Sequence, residues 1–508
     1  MMPVMQNVFT PSPQQSAFFT WITEDQGSCV LEAVAGAGKT TTLIKALELM
    51  HGRVFFGAYN KKIAEEIAAR APKRQGMFVG TMHSAGFSAW RRAAPRVVVN
   101  GDKCRDIYRF ASEQYPEYKP FEGPVLQLVS LAKQAAVGIG NKRADDRQVW
   151  QDLIDHFDIE CMDEDTGVDN TGLIIKLAQK TLQRSTERCH DVVDFDDMIY
   201  APLVYNVKMY QHDWVLIDEA QDTNESRRLL ALRMLKKGGR LVAVGDRHQA
   251  IYGFTGADSD SLDLIAKAVN AKQLPLTTTF RCPKAVVTYA QQWVNHIQAA
   301  ETAPEGVVST GISADLATLA KPGDAILCRF NAPLIKYVYK FIAAGIPAKV
   351  EGREIGNGLK TLARRWKVKK LTSLLEKLDS YAEREIAKYV AKEQASKASA
   401  VEDKVNCLKV IVERVLKTDP NCSSPVDRVC QEIDAIFTED GNAKVVLFSS
   451  IHKSKGREWH KVVWLQTGPS GWARMAWELE QETNLCYVAA TRAKHELCLV
   501  DISNDDKE

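Results

Sequence analysis

Long apolar runs are missing from this chain. No stretch of about 18 consecutive apolar residues occurs. The first residues do not combine a charged segment with an apolar one, as a secretion signal does. These absences argue against a membrane-spanning helix and against secretion. We therefore expect a soluble, cytoplasmic protein with no membrane contact.

Paired cysteines are missing as well. The 11 cysteines are scattered without a C-x-x-C pair. Cys29, Cys328 and Cys498 lie inside apolar runs, where cysteine behaves as a small core residue, so we expect a reducing compartment. Cys189 stands beside His190, but no partner pair follows at the spacing of a zinc site. The sequence therefore predicts no zinc centre.

Charge of one sign and internal repeats are also scarce. The formal net charge is only +2, so any nucleic-acid binding has to come from a local groove rather than from a global basic field. We find no repeat at a fixed period. A chain of 508 residues, 45% hydrophobic and 26% charged, has an ordinary globular composition and the length for three or four domains or subdomains.

A glycine-rich turn between a predicted strand and a predicted helix is the most informative stretch. The apolar run that starts at Cys29 enters Ala33-Val34-Ala35-Gly36-Ala37-Gly38-Lys39-Thr40, and apolar residues then recur at helical spacing. Glycines let backbone N–H groups converge on a polyphosphate, and the helix N-terminus adds partial positive charge. Lys39 would neutralise the β and γ oxygens, and Thr40 would offer its hydroxyl to Mg²⁺. The alternative is a small-residue turn that packs a helix onto a sheet, and Ala33 replaces the usual first glycine.

A turn upstream carries two glutamines. Pro and Ser residues precede Gln14 and Gln15 and set the start of a helix that ends near Ile22. A glutamine in such a turn can donate to N7 of adenine and accept from its amino group. The alternative is a solvated glutamine at a helix start.

Two adjacent acids follow a later apolar strand. The run from Trp214 to Ile217 leads directly into Asp218 and Glu219, which could supply one carboxylate for Mg²⁺ and one to orient a water molecule. After the next strand, Gln249 stands where a neutral amide could sense a γ-phosphate.

Polar and aromatic loop residues suggest contact with a polynucleotide. Asn60, Thr81 and His83 follow the ends of two predicted strands, where ligands bind in open α/β sheets. Tyr252 and Phe254 lie two residues apart in a glycine-containing loop and could stack on bases. The competing interpretations are loop capping for the first three and core packing for the aromatics.

The second half of the chain contributes cationic candidates. Arg281 and Arg492 could neutralise charge on a triphosphate in the transition state. A Lys-rich helical segment includes the run from Arg364 to Lys370, which could touch phosphates, although a solvated helix face is the favoured interpretation.

Together these segments resemble the ordered motif series of the UvrD/Rep/PcrA-type superfamily-one helicases. The motifs are AGAGKTT, LIDEAQDT, GDRHQAIYGFTGA, FRCP, HKSKGREW and YVAATRAK. The resemblance covers roughly residues 10 to 285, 325 to 345 and 444 to 498.

The resemblance implies an α/β fold with two RecA-like, parallel-sheet motor domains of the P-loop NTPase type and helical insertions. We expect the first motor domain in residues 1–90 and 191–277, with a helical insertion in 91–190. The second would comprise 278–360 and 441–508, with a helical, Lys-rich insertion in 361–440.

The resemblance also assigns roles. Asp218 would hold Mg²⁺ together with Thr40, Glu219 would be the catalytic base, and Gln15 would read adenine, with Gln14 a close second. The residues implied at the nucleotide are Gly36, Ala37, Gly38, Lys39, Thr40, Thr41, Gln249, Phe280, Arg281, Gly456, Glu458 and Arg492. Those implied at the nucleic acid are Asn60, Thr81, His83, Tyr252, Phe254 and His452. Ala58 replaces a common aromatic of the family, which leaves one stacking platform missing or moved to Tyr59.

The resulting expectation is an ATP- and Mg²⁺-dependent enzyme, monomeric, that moves 3′ to 5′ along single-stranded DNA and opens duplex at single-strand/duplex junctions. The Gln-Ala-Ile-Tyr-Gly-Phe form of the third motif favours this polarity. The rivals are a translocase that strips proteins from DNA with little unwinding, and a nucleotide-gated DNA-binding component of a repair or recombination complex. Replication or repair proteins are the expected partners. The chain ends soon after Arg492, so we expect no separate nuclease domain.

Overall fold

The computed structural model describes residues 9–157, 159, 161, 168–251, 260–391, 395–419, 424–438, 444–467 and 476–503. The chain divides into two compact units: the first contains Met1–Val34 and Gly38–Thr277, and the second contains Ala35–Ala37 and Thr278–Glu508. Among the described helices, none is both long and apolar enough to cross a membrane.

A six-stranded parallel sheet forms the centre of the first unit, in the order β3-β2-β6-β7-β1-β8. The strands of this unit are β1 Cys29–Ala33, β2 Val54–Ala58, β3 Met77–Thr81, β4 Val98–Val99, β5 Val192–Val193, β6 His212–Ile217, β7 Leu235–Gly245 and β8 Lys272–Leu276. The central strands are almost wholly buried, which is why they occur in the sequence as continuous apolar runs.

Eleven α-helices are described in the first unit. They are α1 Pro13–Glu24, α2 Lys39–Ala46, α3 Lys61–Arg70, α4 Met82–Ala93, α5 Lys103–Gln114, α6 Glu122–Gln134, α7 Arg147–Phe157, α8 Thr171–Glu187, α9 Asp197–Val204, α10 Glu225–Met234 and α11 Ser261–Val269. Helices α5 to α8 lie between β4 and β5 and have an apolar core of their own. The pairing of β4 with β5 closes the base of this helical segment.

Two buried lysines fasten this helical segment to the start of α9. Lys133 Nζ lies 2.6 Å from Asp194 Oδ2 and 2.8 Å from Asp197 Oδ1, and Lys103 Nζ lies 2.7 Å from Asp197 Oδ2. Both lysines are 1% exposed. The charges of Asp197 and Asp194 raise the pKa of Lys133 well above its usual value, although burial opposes that rise.

The second unit is built on a seven-stranded parallel sheet in the order β11-β17-β16-β12-β15-β13-β14. Its strands are β9 Thr278–Thr279, β10 Gln298–Ala299, β11 Val307–Gly311, β12 Ala325–Cys328, β13 Ala348–Glu351, β14 Phe437–Thr438, β15 Val446–Ser450, β16 Trp459–Gln466 and β17 Ala493–Asp501. Its helices are α12 Lys284–Ala290, α13 Leu316–Leu319, α14 Asn331–Ala343, α15 Arg353–Arg364, α16 Leu371–Ala391, α17 Ala395–Thr418, α18 Pro425–Ile436, α19 Ile451–Ser454 and α20 Ala476–Ala490. The predicted α/β class with two parallel sheets is therefore confirmed.

The described cysteines are all buried or half-buried. Burial raises the pKa of Cys29, Cys189 and Cys328 to about 12 and that of Cys486 to about 11. These thiols therefore remain protonated at neutral pH.

Candidate functional site

The turn between β1 and α2 has the geometry of a phosphate cradle. Gly36 and Gly38 have φ values of 72° and 73°, a left-handed conformation that glycine adopts without strain. Gly38 is the N-cap of α2 and supplies no side-chain hydrogen bond to the helix, whereas Ser12, Asn60 and Thr81 cap α1, α3 and α4 through their side chains. The first N–H groups of α2 therefore lack a side-chain cap and can serve an anion.

Two side chains at the start of α2 meet the acids that follow β6. Thr40 Oγ1 donates to Asp218 Oδ2 at 2.9 Å. Lys39 Nζ lies 3.8 Å from Glu219 Oε1. The parallel sheet brings these groups together because β1 and β6 both end at the same edge.

The electrostatics at Asp218 suit a cation. Burial and the charge of Glu219 raise the pKa of Asp218 to about 6, while Lys39 and the Thr40 hydroxyl act in the opposite direction. Thr40 and Asp218 are hard oxygen donors, the type that Mg²⁺ prefers, and Mg²⁺ usually takes only one or two protein ligands beside substrate phosphates. In the part of the chain that the structure describes, no cluster of three or more His, Cys, Asp or Glu side chains could hold a metal. The Thr40–Asp218 pair accordingly fits Mg²⁺ held jointly with a nucleotide.

A glutamine without an assigned role links the loops after β6 and β7. Gln221 Nε2 donates to Glu219 Oε2 at 2.5 Å, and Gln221 Oε1 accepts from the Asp246 backbone N–H at 3.1 Å. Gln249 Nε2 in turn donates to Asp246 Oδ2 at 2.6 Å. Sequence reasoning missed Gln221, although its position two residues after Glu219 in an acidic strand-end motif was an available signal.

The Gln15 side chain is bonded within the protein. Its Oε1 accepts from the Ser12 backbone N–H at 2.9 Å in a capping box, and its Nε2 donates to Thr42 Oγ1 at 2.8 Å. The side chain is 2% exposed. As observed, Gln15 stabilises the start of α1, and its expected role in reading adenine stays a prediction. The Gln14 amide is likewise bonded at both ends, to the hydroxyl and the backbone N–H of Thr277, and its side chain is half-buried.

The first-unit candidates for nucleic acid lie where β2 and β3 end. Asn60 and Thr81 are side-chain N-caps of α3 and α4, so the capping interpretation holds for both side chains as observed. Burial and the nearby charge of Arg227 lower the pKa of His83 to about 4, which keeps its imidazole neutral at pH 7. Tyr59, the proposed substitute stacking platform, is 44% exposed.

Thr41 is half-buried on α2, and its Oγ1 accepts from Arg70 at 3.3 Å. Tyr252 and Phe254 lie outside the described residues. Their expected base-stacking role therefore stays a prediction.

The arginine candidates belong to the second unit and differ in environment. Arg281 Nε donates to Glu458 Oε2 at 2.7 Å. Arg492 is fully buried, and it donates to the carbonyl oxygens of Val488 at 2.9 Å and of Arg457 at 3.2 Å. As observed, Arg492 bonds the last turn of α20 and the segment before β16.

The remaining second-unit candidates are partly open. Phe280 is 52% exposed, as a ring that stacks on a base requires. Gly456 has φ 81° and open space where a Cβ would stand. Although burial opposes the shift, the hydrogen bond from Lys494 and the charge of Arg281 lower the pKa of Glu458. Burial lowers the pKa of His452 to about 3, so this imidazole is neutral.

Family models match both parts of the chain. The UvrD/REP helicase N-terminal domain matches residues 13–270, and a UvrD-like helicase C-terminal domain matches residues 446–500.

Three curated relatives have sequences that are 24% to 25% identical to this chain. The chain is 24% identical to F-box DNA helicase protein 1 of Schizosaccharomyces pombe, over 93% of this chain and 55% of that protein. It is 25% identical to the ATP-dependent DNA helicase Rep of Buchnera aphidicola, over 53% of this chain and 42% of Rep. The ATP-dependent DNA helicase PcrA of Staphylococcus epidermidis is 24% identical over 57% of this chain and 41% of its own length. The chain thus spans about half the length of these relatives.

Proposed function

Because the chain belongs to the UvrD/REP helicase family, we propose that it is a DNA-dependent ATPase that moves 3′ to 5′ along single-stranded DNA and unwinds duplex at junctions. The observation that carries the proposal is the meeting of Thr40 with Asp218 and of Lys39 with Glu219 beside an α2 N-terminus that no side chain caps. A passive nucleotide-binding module would have no need for Glu219.

The residues of the first unit would divide the work of hydrolysis. The α2 backbone and Lys39 bind the β and γ phosphates of ATP, and Thr40 with Asp218 hold Mg²⁺. The metal supplies charge neutralisation at the phosphate oxygens. Glu219 accepts the proton of the attacking water, and the Gln221 amide orients its carboxylate.

The second unit would supply positive charge and a stacking surface. Arg281 and Arg492 would approach the γ-phosphate, which requires Arg492 to leave the carbonyl groups that it now bonds. Phe280 would stack on adenine, and Gln15, with Gln14 a close second, would read its edge. Asn60, Thr81, His83, Tyr252, Phe254 and His452 would contact the DNA strand, whose grip changes with each hydrolysis cycle.

The test is ATP hydrolysis with and without single-stranded DNA, run beside unwinding of 3′- and 5′-tailed duplexes. We expect DNA to stimulate hydrolysis and only the 3′-tailed duplex to open. If only the 5′-tailed duplex opened, the proposed 3′ to 5′ polarity would be wrong. If the protein moved along the single strand but opened neither duplex, the protein-displacing translocase would be favoured.

Glu219→Gln tests the assigned base in the same assay. We expect turnover on DNA to fall by about 10²- to 10⁴-fold, because a general base contributes about that much, while ATP affinity changes little. Glu48→Gln makes the same change at an exposed glutamate and should leave turnover unaltered. Normal turnover in Glu219→Gln would contradict the role of Glu219.

A further inference from the structure

A tyrosine of α20 is bonded to the middle of the phosphate cradle. The segment Ala35–Ala37, which we call the cradle tip, belongs to the second unit. The Ala35 backbone N–H donates to Tyr487 Oη at 2.8 Å. Both residues are fully buried, so solvent does not offer the Ala35 N–H another acceptor. Tyr487 belongs neither to the residues assigned to the nucleotide nor to those assigned to the DNA strand.

The next residue of the cradle tip is held just as closely. Gly36 O accepts from the Phe280 backbone N–H at 2.9 Å. A Cβ on Gly36 would lie 2.5 Å from both Arg281 Cβ and Thr279 Oγ1, so the position admits only glycine. The backbone of the cradle tip is therefore fixed by this segment at Gly36, and one residue earlier by the tyrosine hydroxyl.

The position of Tyr487 is determined by the hydrogen bonds at the end of α20. Its carbonyl oxygen accepts from the Thr491 backbone N–H at 3.1 Å and from Thr491 Oγ1 at 2.8 Å. Arg492 Nη2 donates to Thr491 Oγ1 at 3.1 Å, and Arg281 Nη1 donates to Thr491 O at 3.4 Å. Tyr487 thus belongs to the same hydrogen-bond network as both arginine candidates for the γ-phosphate.

The hydroxyl is the part of Tyr487 that packing does not require. A phenylalanine ring would fill the same buried space, but it would leave the Ala35 N–H buried without an acceptor. Glycine-rich backbone loses much conformational freedom when it is ordered, and a restraint that exists before binding removes part of this cost from the binding step. The bond at Ala35 acts as such a restraint, because the next residue, Gly36, has the left-handed φ of 72°.

We propose that Tyr487 is a positioning residue whose hydroxyl holds the cradle tip in the shape that receives the phosphates of a nucleotide. It acts through the Ala35 backbone and touches no reacting atom, so it sets nucleotide affinity rather than the rate of the chemical step. The inference rests on the proposed function, since ATP as the ligand of the cradle comes from there.

The test is Tyr487→Phe in the full chain, which removes the hydroxyl and keeps the ring. Binding of a fluorescent, non-hydrolysable ATP analogue with Mg²⁺ is titrated, and steady-state hydrolysis is measured on single-stranded DNA. We expect Kd for the analogue and KM for ATP to rise about 3- to 10-fold, the worth of one buried hydrogen bond. We expect kcat at saturating ATP to stay unchanged. An unaltered Kd would overturn the proposal, whether or not kcat fell.

Tyr200→Phe is the matched control in the first unit. Tyr200 is also buried, and its hydroxyl donates to the Val137 carbonyl oxygen at 2.6 Å. Each variant loses one buried hydrogen bond between a tyrosine hydroxyl and a backbone group, so a general loss of stability would appear in both. Only Tyr487→Phe should change nucleotide affinity. An equal rise of Kd in the two variants would overturn the proposal.

Amide hydrogen exchange tests the restraint without nucleotide. The Ala35 amide of Tyr487→Phe should exchange at least about fivefold faster than in the unaltered protein, because it has lost its acceptor. Tyr200→Phe should match the unaltered protein at this amide. Unchanged exchange at Ala35 in Tyr487→Phe would overturn the proposal.

The two readouts also separate this inference from the proposed function. Faster exchange at Ala35 in a protein that neither binds nor hydrolyses ATP would support the restraint on the cradle tip while the proposed function fails. Normal ATP hydrolysis in the unaltered protein, with Kd and exchange both unaltered in Tyr487→Phe, would retain the proposed function and overturn the role of Tyr487.

Discussion

At the scale of single residues, Glu219 combines a backbone and a side-chain constraint. Its φ of 53° is left-handed, which costs a non-glycine residue about 1 to 2 kcal/mol. The Asp218 carboxylate accepts from the Glu219 backbone N–H at 3.0 Å, and Gln221 holds its side chain. Retention of a carboxylate at a strained position agrees with a chemical role for Glu219.

His212 should make stability depend on pH. Burial and the charge of Arg53 lower its pKa to about 4, so the unfolded chain, with a histidine pKa near 6.5, binds more protons between those values. The free energy of unfolding should therefore fall by about 1 to 2 kcal/mol more between pH 7 and pH 5 in the unaltered protein than in His212→Phe. Urea unfolding at both pH values checks this. The exposed-site control His51→Phe should behave like the unaltered protein, and an equal pH response in His212→Phe would contradict the argument.

A site residue can be predicted from the sequence when the chemistry of the site allows only one residue type at that position. A polyphosphate cradle requires residues such as Gly36, Gly38 and Lys39 at fixed spacing, so the local pattern alone predicts it. The choice between Gln14 and Gln15 could not be made the same way, because a capping box competes for the same amide and depends on the helix start at Pro13.

At the scale of elements, the sequence pattern predicts the buried strands but not the buried lysines. β2 and β12 are apolar throughout because both faces of their sheets are covered. Two-residue strands such as β4 and β5 are too short to show a pattern. Lysines on α5 and α6 ordinarily indicate a solvated face, and only the fold reveals the aspartates that make Lys103 and Lys133 internal.

Removal of one of these lysines should loosen the helical segment from α9. Lys133→Met leaves Asp194 and Asp197 buried with fewer partners, and we expect a loss of about 3 to 5 kcal/mol in the free energy of unfolding. Lys142→Met, at a lysine 42% exposed and paired with Glu225, should lose less than about 1 kcal/mol. Urea unfolding of both variants measures the difference. Equal losses in the free energy of unfolding would mean that the buried ion pairs of Lys133 stabilise the protein no more than the exposed pair of Lys142.

At the scale of the whole molecule, each unit has a parallel sheet and apolar clusters of its own. We therefore expect calorimetric unfolding in more than one transition, with a calorimetric enthalpy larger than the van't Hoff enthalpy. Differential scanning calorimetry of the full chain measures both quantities. A single transition with equal enthalpies would show that the two cores unfold as one cooperative unit.

The order of motifs in the sequence predicts both sheets. The packing of α15 to α18 has no sequence motif, so only the structure shows it.

The burial of the thiols has a practical consequence for fluorescence labelling of this protein. Thiolates attack maleimide dyes, and the described cysteines are buried or half-buried, several of them with a raised pKa. A cysteine introduced on an exposed helix position would then react far faster than these native ones. Fluorophores for single-molecule recordings could therefore be attached at such a position while the described native cysteines stay in place.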